Sequence, residues 1–225
     1  MAVIFGADSK ARADVKLING YDLYSWVMRM NGFPAFWGRS ISGENHIEME
    51  ELEFLRDKNC RVALIFNELT EAGVSAMSAE EDAMRAIKAA RTIGAPDYGN
   101  IAIFAAIGDK WSINNSWMMS YAHMLSSNGY IPGFIGNTDS SKNFNFGRQC
   151  SHYVENTTEQ NNYGTVYWAT EPKLDTIEPT EWAPYCPSAM RPDQIDMWRI
   201  GINSCGNVTA NKTFARDKSI LKYMW

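Results

Sequence analysis

The sequence predicts an α/β fold, a single TIM-like (β/α) barrel with regular helices between the first five strands and loop-connected final strands. Three apolar runs carry that prediction: Asn100-Ile-Ala-Ile-Phe-Ala-Ala-Ile-Gly-Asp-Lys110, Arg61-Val-Ala-Leu-Ile-Phe-Asn-Glu68 and Ile18-Asn-Gly-Tyr-Asp22. The first two are near-continuously apolar, as strands of a parallel sheet are when both faces are covered. Each run also ends in a carboxylate. In a parallel barrel the C-terminal strand ends meet at one mouth, where active sites sit. Singly, each acid fits a turn or a helix N-cap; the repetition points to an acid-lined cleft.

The elements follow in order. Residues 1–17 read as an N-terminal arm and 18–225 as the barrel domain. Strand one is Ile18–Asp22, followed by a helix over Leu23–Met30 that stops at Asn31-Gly32, a C-cap signal. Strand two is Pro34–Ser40, with the proline at its first position. A helix over Glu48–Asn59 carries Met49, Leu52 and Leu55 on one face, and strand three is Arg61–Glu68. The next helix, Ser78–Ile93, has the apolar stripe Ala83, Ala86, Ile87 and Ala90, and opens with the capping-box pattern Ser78-Ala-Glu-Glu81. Strand four is the run that ends at Lys110. A helix over Ser116–Asn128 leads to strand five, Tyr130–Gly136. The rhythm then changes. One more helix, Phe144–Val154, precedes strand six at Thr165–Thr170, and a Pro-rich loop spans 171–192. Strand seven is Ile195–Ile200, and a short strand near Asn207-Val208 closes the set.

Composition narrows the function. The chain has 225 residues, 45% of them hydrophobic, and a net charge of −5 without any basic block. That excludes a nucleic-acid footprint and a polybasic membrane anchor, and no run reaches transmembrane length. The start lacks a charged signal segment, so the expected location is the cytoplasm or export by a non-classical route. The four cysteines, Cys60, Cys150, Cys186 and Cys205, have no metal-type spacing, and one disulfide among the last three is compatible with the pattern. Three scattered histidines form no zinc pair. No metal or cofactor is expected.

The motif order resembles the glycoside-hydrolase-like family of unknown function, bacterial barrels related to the family 25 muramidases. The residues that carry the resemblance are Gly20-Tyr-Asp22, Gly32-Phe-Pro-Ala-Phe-Trp-Gly-Arg39, the helix from Glu80 through Gly94-Ala-Pro96, Ile103–Asp109, and Gly129-Tyr-Ile-Pro-Gly-Phe-Ile-Gly136. The resemblance spans roughly residues 18–210. It implies a glycan-binding cleft and, in related enzymes, hydrolysis of peptidoglycan-like cell-wall polysaccharide. Two departures stand out. The family's acidic pair at the end of strand four falls on Gly108 and Lys110, with Asp109 on the alternate face. The late "v-D-x-N" becomes Val208-Thr-Ala-Asn211. Both point toward a degenerate site.

Glycoside hydrolysis needs two carboxylates. The candidates are Asp22, Glu68 and Asp109. Glu68 is the expected proton donor because Phe66 and Leu69 flank it, and Asp22 is expected to stabilise charge at the sugar. Tyr24, Trp37, Arg39, Trp111, Trp168, Glu171, Asp196 and Trp198 are the expected substrate-binding residues. Flat aromatic faces suit sugar rings, and Trp111, directly after the strand-four acid, is the strongest of them. For Asp196 a structural ion pair with Arg39 or Arg199 is favoured over a ligand contact. The expected ligand is a polysaccharide, and the alternative to a hydrolase is a carbohydrate-binding barrel that has lost catalysis. A phosphorylated-metabolite enzyme would need a Gly-rich late loop, of which Ser204-Cys-Gly-Asn207 is a poor version.

Overall fold

A computed structural model describes the chain except residues 1–2, 99, 140–144, 159–161, 172–178, 180 and 188. The expected loop 171–192 therefore lies partly outside the described residues.

Eight strands close into one barrel in the order of the chain. They are β1 (Ile4–Asp8), β2 (Phe36–Ser40), β3 (Arg61–Phe66), β4 (Ala102–Ala106), β5 (Ile131–Gly136), β6 (Val166–Thr170), β7 (Met197–Cys205) and β8 (Val208–Ala215). Neighbours from β1 to β7 pair in parallel, and β8 is antiparallel to both β7 and β1. The helices are α1 (Leu23–Asn31), α2 (Met49–Asp57), the short α3 (Glu71–Val74), α4 (Glu80–Thr92), α5 (Asn115–Ser127) and α6 (Asn145–Glu155). The fold is the expected α/β barrel, with helices after the early strands and a hairpin at the end.

Two layers of core follow from strand alternation. Phe36, Ala63, Ala102, Phe104, Ile135, Val166, Trp168, Met197 and Ala215 fill the barrel interior. Phe104 meets Trp168 edge to face, with ring centres 5.4 Å apart. The alternate residues, such as Trp37, Val62, Leu64 and Ile103, pack outward against the helices. In α4 the buried stripe is Ala83, Ala86, Ile87 and Ala90, as the periodicity predicts. Its N-cap is Ala79 without a side-chain cap bond, so the expected capping box does not form.

The N-terminal end of the barrel is stoppered. A 3-10 turn, Lys218–Tyr223, places Ile220 and, beyond it, Met224 in the interior cluster. The Val62 amide donates to Trp225 O at 2.8 Å, and the Trp225 amide donates back to Val62 O at 2.9 Å. The C-terminal ends of β1–β7 lie at the opposite end of the barrel from this stopper.

The first strand is the main correction. It is Ile4–Asp8, inside the stretch expected to be an arm, and it pairs with both β2 and β8. Ile18–Asp22 is no strand: Asp22 is the N-cap of α1, and its carboxylate accepts the Ser25 amide at 2.7 Å. The barrel therefore includes Ile4–Asp8, ahead of residue 18. All four cysteines are free thiols. Burial pushes the Cys60 and Cys150 thiols well above the ordinary range.

Candidate functional site

The mouth is built from the inward positions at the strand ends. On β1 that position is Asp8, which sequence reasoning did not select. Its carboxylate is buried and takes four donors. Arg199 of β7 donates from Nε to Oδ1 at 3.0 Å and from Nη2 to Oδ2 at 2.7 Å. Two β8 side chains complete the set, Asn211 Nδ2 at 2.7 Å and Thr213 Oγ1 at 2.9 Å. The antiparallel register Asp8↔Asn211 puts these side chains on one face. Trp168 forms the floor beneath, with its ring centre 5.4 Å from Arg199 Cζ. Gly38 makes the close approach possible. A Cβ there would lie 2.7 Å from Asp8 Cβ and 2.9 Å from Trp168 Cη2.

The β2 and β3 ends add polar groups. Ser40 Oγ donates to Asn67 Oδ1 at 2.8 Å. Past β4, alternation turns Ala106 and Gly108 inward, and neither carries a carboxylate. Trp111 folds back onto Gly108, with its amide on Gly108 O at 3.0 Å. A Cβ on Gly108 would sit 2.8–2.9 Å from three atoms of the indole, Cε2, Cδ2 and Nε1. A point equidistant from those three lies above the ring, so Trp111 presents one face to Gly108. Asp109 is exposed beside Asn137 of the β5 end, whose Nδ2 is 3.5 Å from Asp109 Oδ2.

The remaining expected site residues divide by place. Glu68 follows β3 on the mouth side and is exposed, with its Oε1 3.5 Å from a Cβ position on Gly43. Phe66 and Leu69 are buried, so the apolar enclosure expected of a proton donor does not close over an exposed carboxylate. Glu171, one residue past β6, is buried and accepts the Tyr185 amide. Tyr24 and Trp37 lie outside the barrel wall, ring centres 5.8 Å apart, between β2 and α1. Arg39 is fully buried and bound to Glu51. Trp198 faces outward against Trp182, 5.8 Å away.

Asp196 sits at the opposite, stoppered end. It accepts the Tyr167 amide at 2.9 Å and lies 3.6 Å from Arg216. Burial pushes its carboxyl up to about 6. The structure thus gathers Trp111, Trp168, Glu68 and Asp109 on the mouth side, and places Tyr24, Trp37, Arg39, Asp196 and Trp198 elsewhere. Among the described residues no cluster of three or more His, Cys, Asp or Glu side chains could hold a metal ion, and no helix is long and apolar enough to cross a membrane.

This architecture defines a fold class: an eight-stranded α/β barrel closed by an antiparallel last strand. Solved structures share that fold. An uncharacterized B. stearothermophilus protein superposes with a TM-score of 0.79 at 23% identity, over 99% of this chain and 100% of that one. The Mycobacterium tuberculosis Tat-secreted protein Rv2525c, crystallised in complex with L-tartrate, gives 0.61 at 14% identity, covering 97% and 98%. A family 25 glycosyl hydrolase from Bacillus anthracis gives 0.53 at 11% identity, covering 97% and 92%. At these identities the likeness is one of fold. No protein-family pattern matches the chain, and no curated protein does.

Proposed function

We infer that this chain is a carbohydrate-binding barrel that takes a peptidoglycan-like polysaccharide at its mouth without cleaving it. One observation carries the reading. At the end of β4 the inward positions are Ala106 and Gly108, and an indole face covers Gly108. Both retaining and inverting hydrolysis require two carboxylates set across the scissile bond. The buried carboxylate of the mouth, Asp8, already has four protein donors. What the mouth offers instead is a half-buried tryptophan beside amide and hydroxyl groups, the combination that suits a sugar with one apolar face and a polar edge.

The test is a pair of measurements on purified peptidoglycan. The protein should sediment with the polymer and release no new reducing ends. Trp111→Ala should cut the bound fraction severalfold with an unchanged melting temperature, because the half-buried ring packs on a glycine and leaves no sealed void. Glu68→Gln should leave binding unchanged. Release of sugar that Glu68→Gln abolishes would instead establish a hydrolase, since general acid–base catalysis is typically worth ~100- to 10,000-fold.

A further inference from the structure

The mouth holds a cation whose geometry goes beyond structural support. Arg199 is clamped along one edge, with Nε and Nη2 on Asp8 at 3.0 and 2.7 Å. Its Cζ lies 5.4 Å from the centre of the buried Trp168 ring. A planar guanidinium held this way loses little freedom when it makes a further bond. Nη1 is the nitrogen left over. It has no partner among the described residues, and the side chain keeps 22% of its surface open. It can donate two hydrogen bonds.

The surrounding charge decides what it donates to. Asp8 balances the guanidinium, so the floor is a neutral pair. Among the described residues that follow the strands on this side, the exposed carboxylates Glu44, Glu68 and Asp109 stand with the exposed lysines Lys10 and Lys110, and the whole chain is at −5. An anionic ligand would find no unbalanced cation on the floor and would face acids at the rim. A hydroxyl or acetamido oxygen accepts from Nη1 without either penalty.

We propose that Arg199, held by Asp8 over Trp168, is the floor contact for the glycan, and that this pair selects uncharged hexose or N-acetylhexosamine units over sugars bearing a carboxylate. The proposal rests on the carbohydrate-binding reading above and names its ligand class.

The experiment is calorimetric titration of the whole chain with an N-acetylglucosamine tetramer and with a galacturonic acid tetramer, each at low and high salt. The uncharged tetramer should bind more tightly, and its Kd should change by less than about twofold with salt, because screening acts on net charge. Arg199→Gln should weaken it roughly tenfold, the worth of a charged donor. Asp8→Asn should free the guanidinium and raise affinity for the acidic tetramer. A thermal melt checks that each variant folds, and the wild-type salt comparison stands without them.

Tighter binding of the acidic tetramer by the wild type, weakening with salt, overturns the proposal and leaves the carbohydrate reading intact. So does capture of peptidoglycan with neither tetramer bound. A folded Arg199→Gln variant of unchanged affinity overturns the assignment of Arg199. Failure to bind tetramers and peptidoglycan alike removes the carbohydrate reading itself.

Discussion

Two arginines of the barrel wall show how the same residue type serves two purposes. Arg39 uses every donor within the protein: Nε and Nη2 bind Glu51 at 2.7 and 3.0 Å, and the carbonyls of Ser9, Lys10 and Asn45 take the rest. Glu51 in turn accepts the Ala13 amide at 2.7 Å. Both side chains are fully buried, so this pair fixes the loop after β1 against α2 and cannot reach a ligand. Removing one charge strands the other, which typically costs about 3–5 kcal/mol. Glu51→Gln should therefore lower the urea midpoint strongly while the folded fraction still binds peptidoglycan. A variant of normal stability that no longer binds would return Arg39 to the site.

Asp196 makes a residue-scale prediction with a sign. Its folded-state carboxyl sits at about 6 against an ordinary 3.8, chiefly because it is buried. Between those values the folded protein holds a proton that the unfolded chain has lost, so stability falls as pH rises through the window. Above it the full penalty stands, roughly 2–3 kcal/mol by the size of the shift. Asp196→Asn keeps an oxygen for the Tyr167 amide and removes the charge. The variant should be more stable than wild type near neutral pH, with the difference vanishing near pH 4. Denaturation curves across that range check it, and a variant destabilised at neutral pH would show that Arg216 outweighs burial.

At the scale of elements, β2 to β6 were legible because long apolar runs between amphipathic helices leave few alternatives, and the helix bounds agree to within a few residues. The first strand was not. Ile4-Phe-Gly-Ala-Asp8 is only five residues long, and the triplet Gly-x-Asp that marks its end recurs at Gly20-Tyr-Asp22. The second triplet precedes a helix immediately, with Gly20 at φ +85°, and its acid caps that helix. Choosing it concealed Asp8 and with it the Asp8–Arg199 pair. The second signal lay in the far end of the chain: Asn211 and Thr213 reach Asp8 only because β8 returns antiparallel through a two-residue turn at Gly206-Asn207. By contrast, the gap at the end of β4 was readable directly from Gly108. The element-scale prediction concerns Gly38, whose missing Cβ lets Asp8 and Trp168 meet. Gly38→Ala should destabilise the fold by about 1–3 kcal/mol, the usual cost of overpacking, and should weaken glycan binding as the Asp8–Arg199 pair is pushed apart. Unchanged stability and binding would mean that the floor is looser than its 2.7 Å approach implies.

For the whole molecule, the barrel has two unlike ends, and their separation is testable. The mouth holds the polar floor of Asp8 and Arg199. The other end is closed by the last residues, where Ile220 and Met224 are 2% exposed inside the barrel and Trp225 pairs its backbone with Val62. Arg56 of α2 lies over the Trp225 ring, 4.7 Å from its centre, and ties the stopper to the outer helices. Fully burying one large aliphatic side chain is worth ~1.5–3 kcal/mol, so two contribute on the order of 4 kcal/mol before the backbone pair is counted. A chain ending at Asp217 should lose at least that much in denaturant unfolding and expose the interior around Phe36 and Ala63 to water. Its mouth, built from the opposite strand ends, should still bind peptidoglycan at temperatures where the barrel remains closed. An unchanged unfolding midpoint would show that the stopper adds nothing to closure. A folded truncation without binding would show that the two ends are coupled through interior residues such as Phe104 and Trp168.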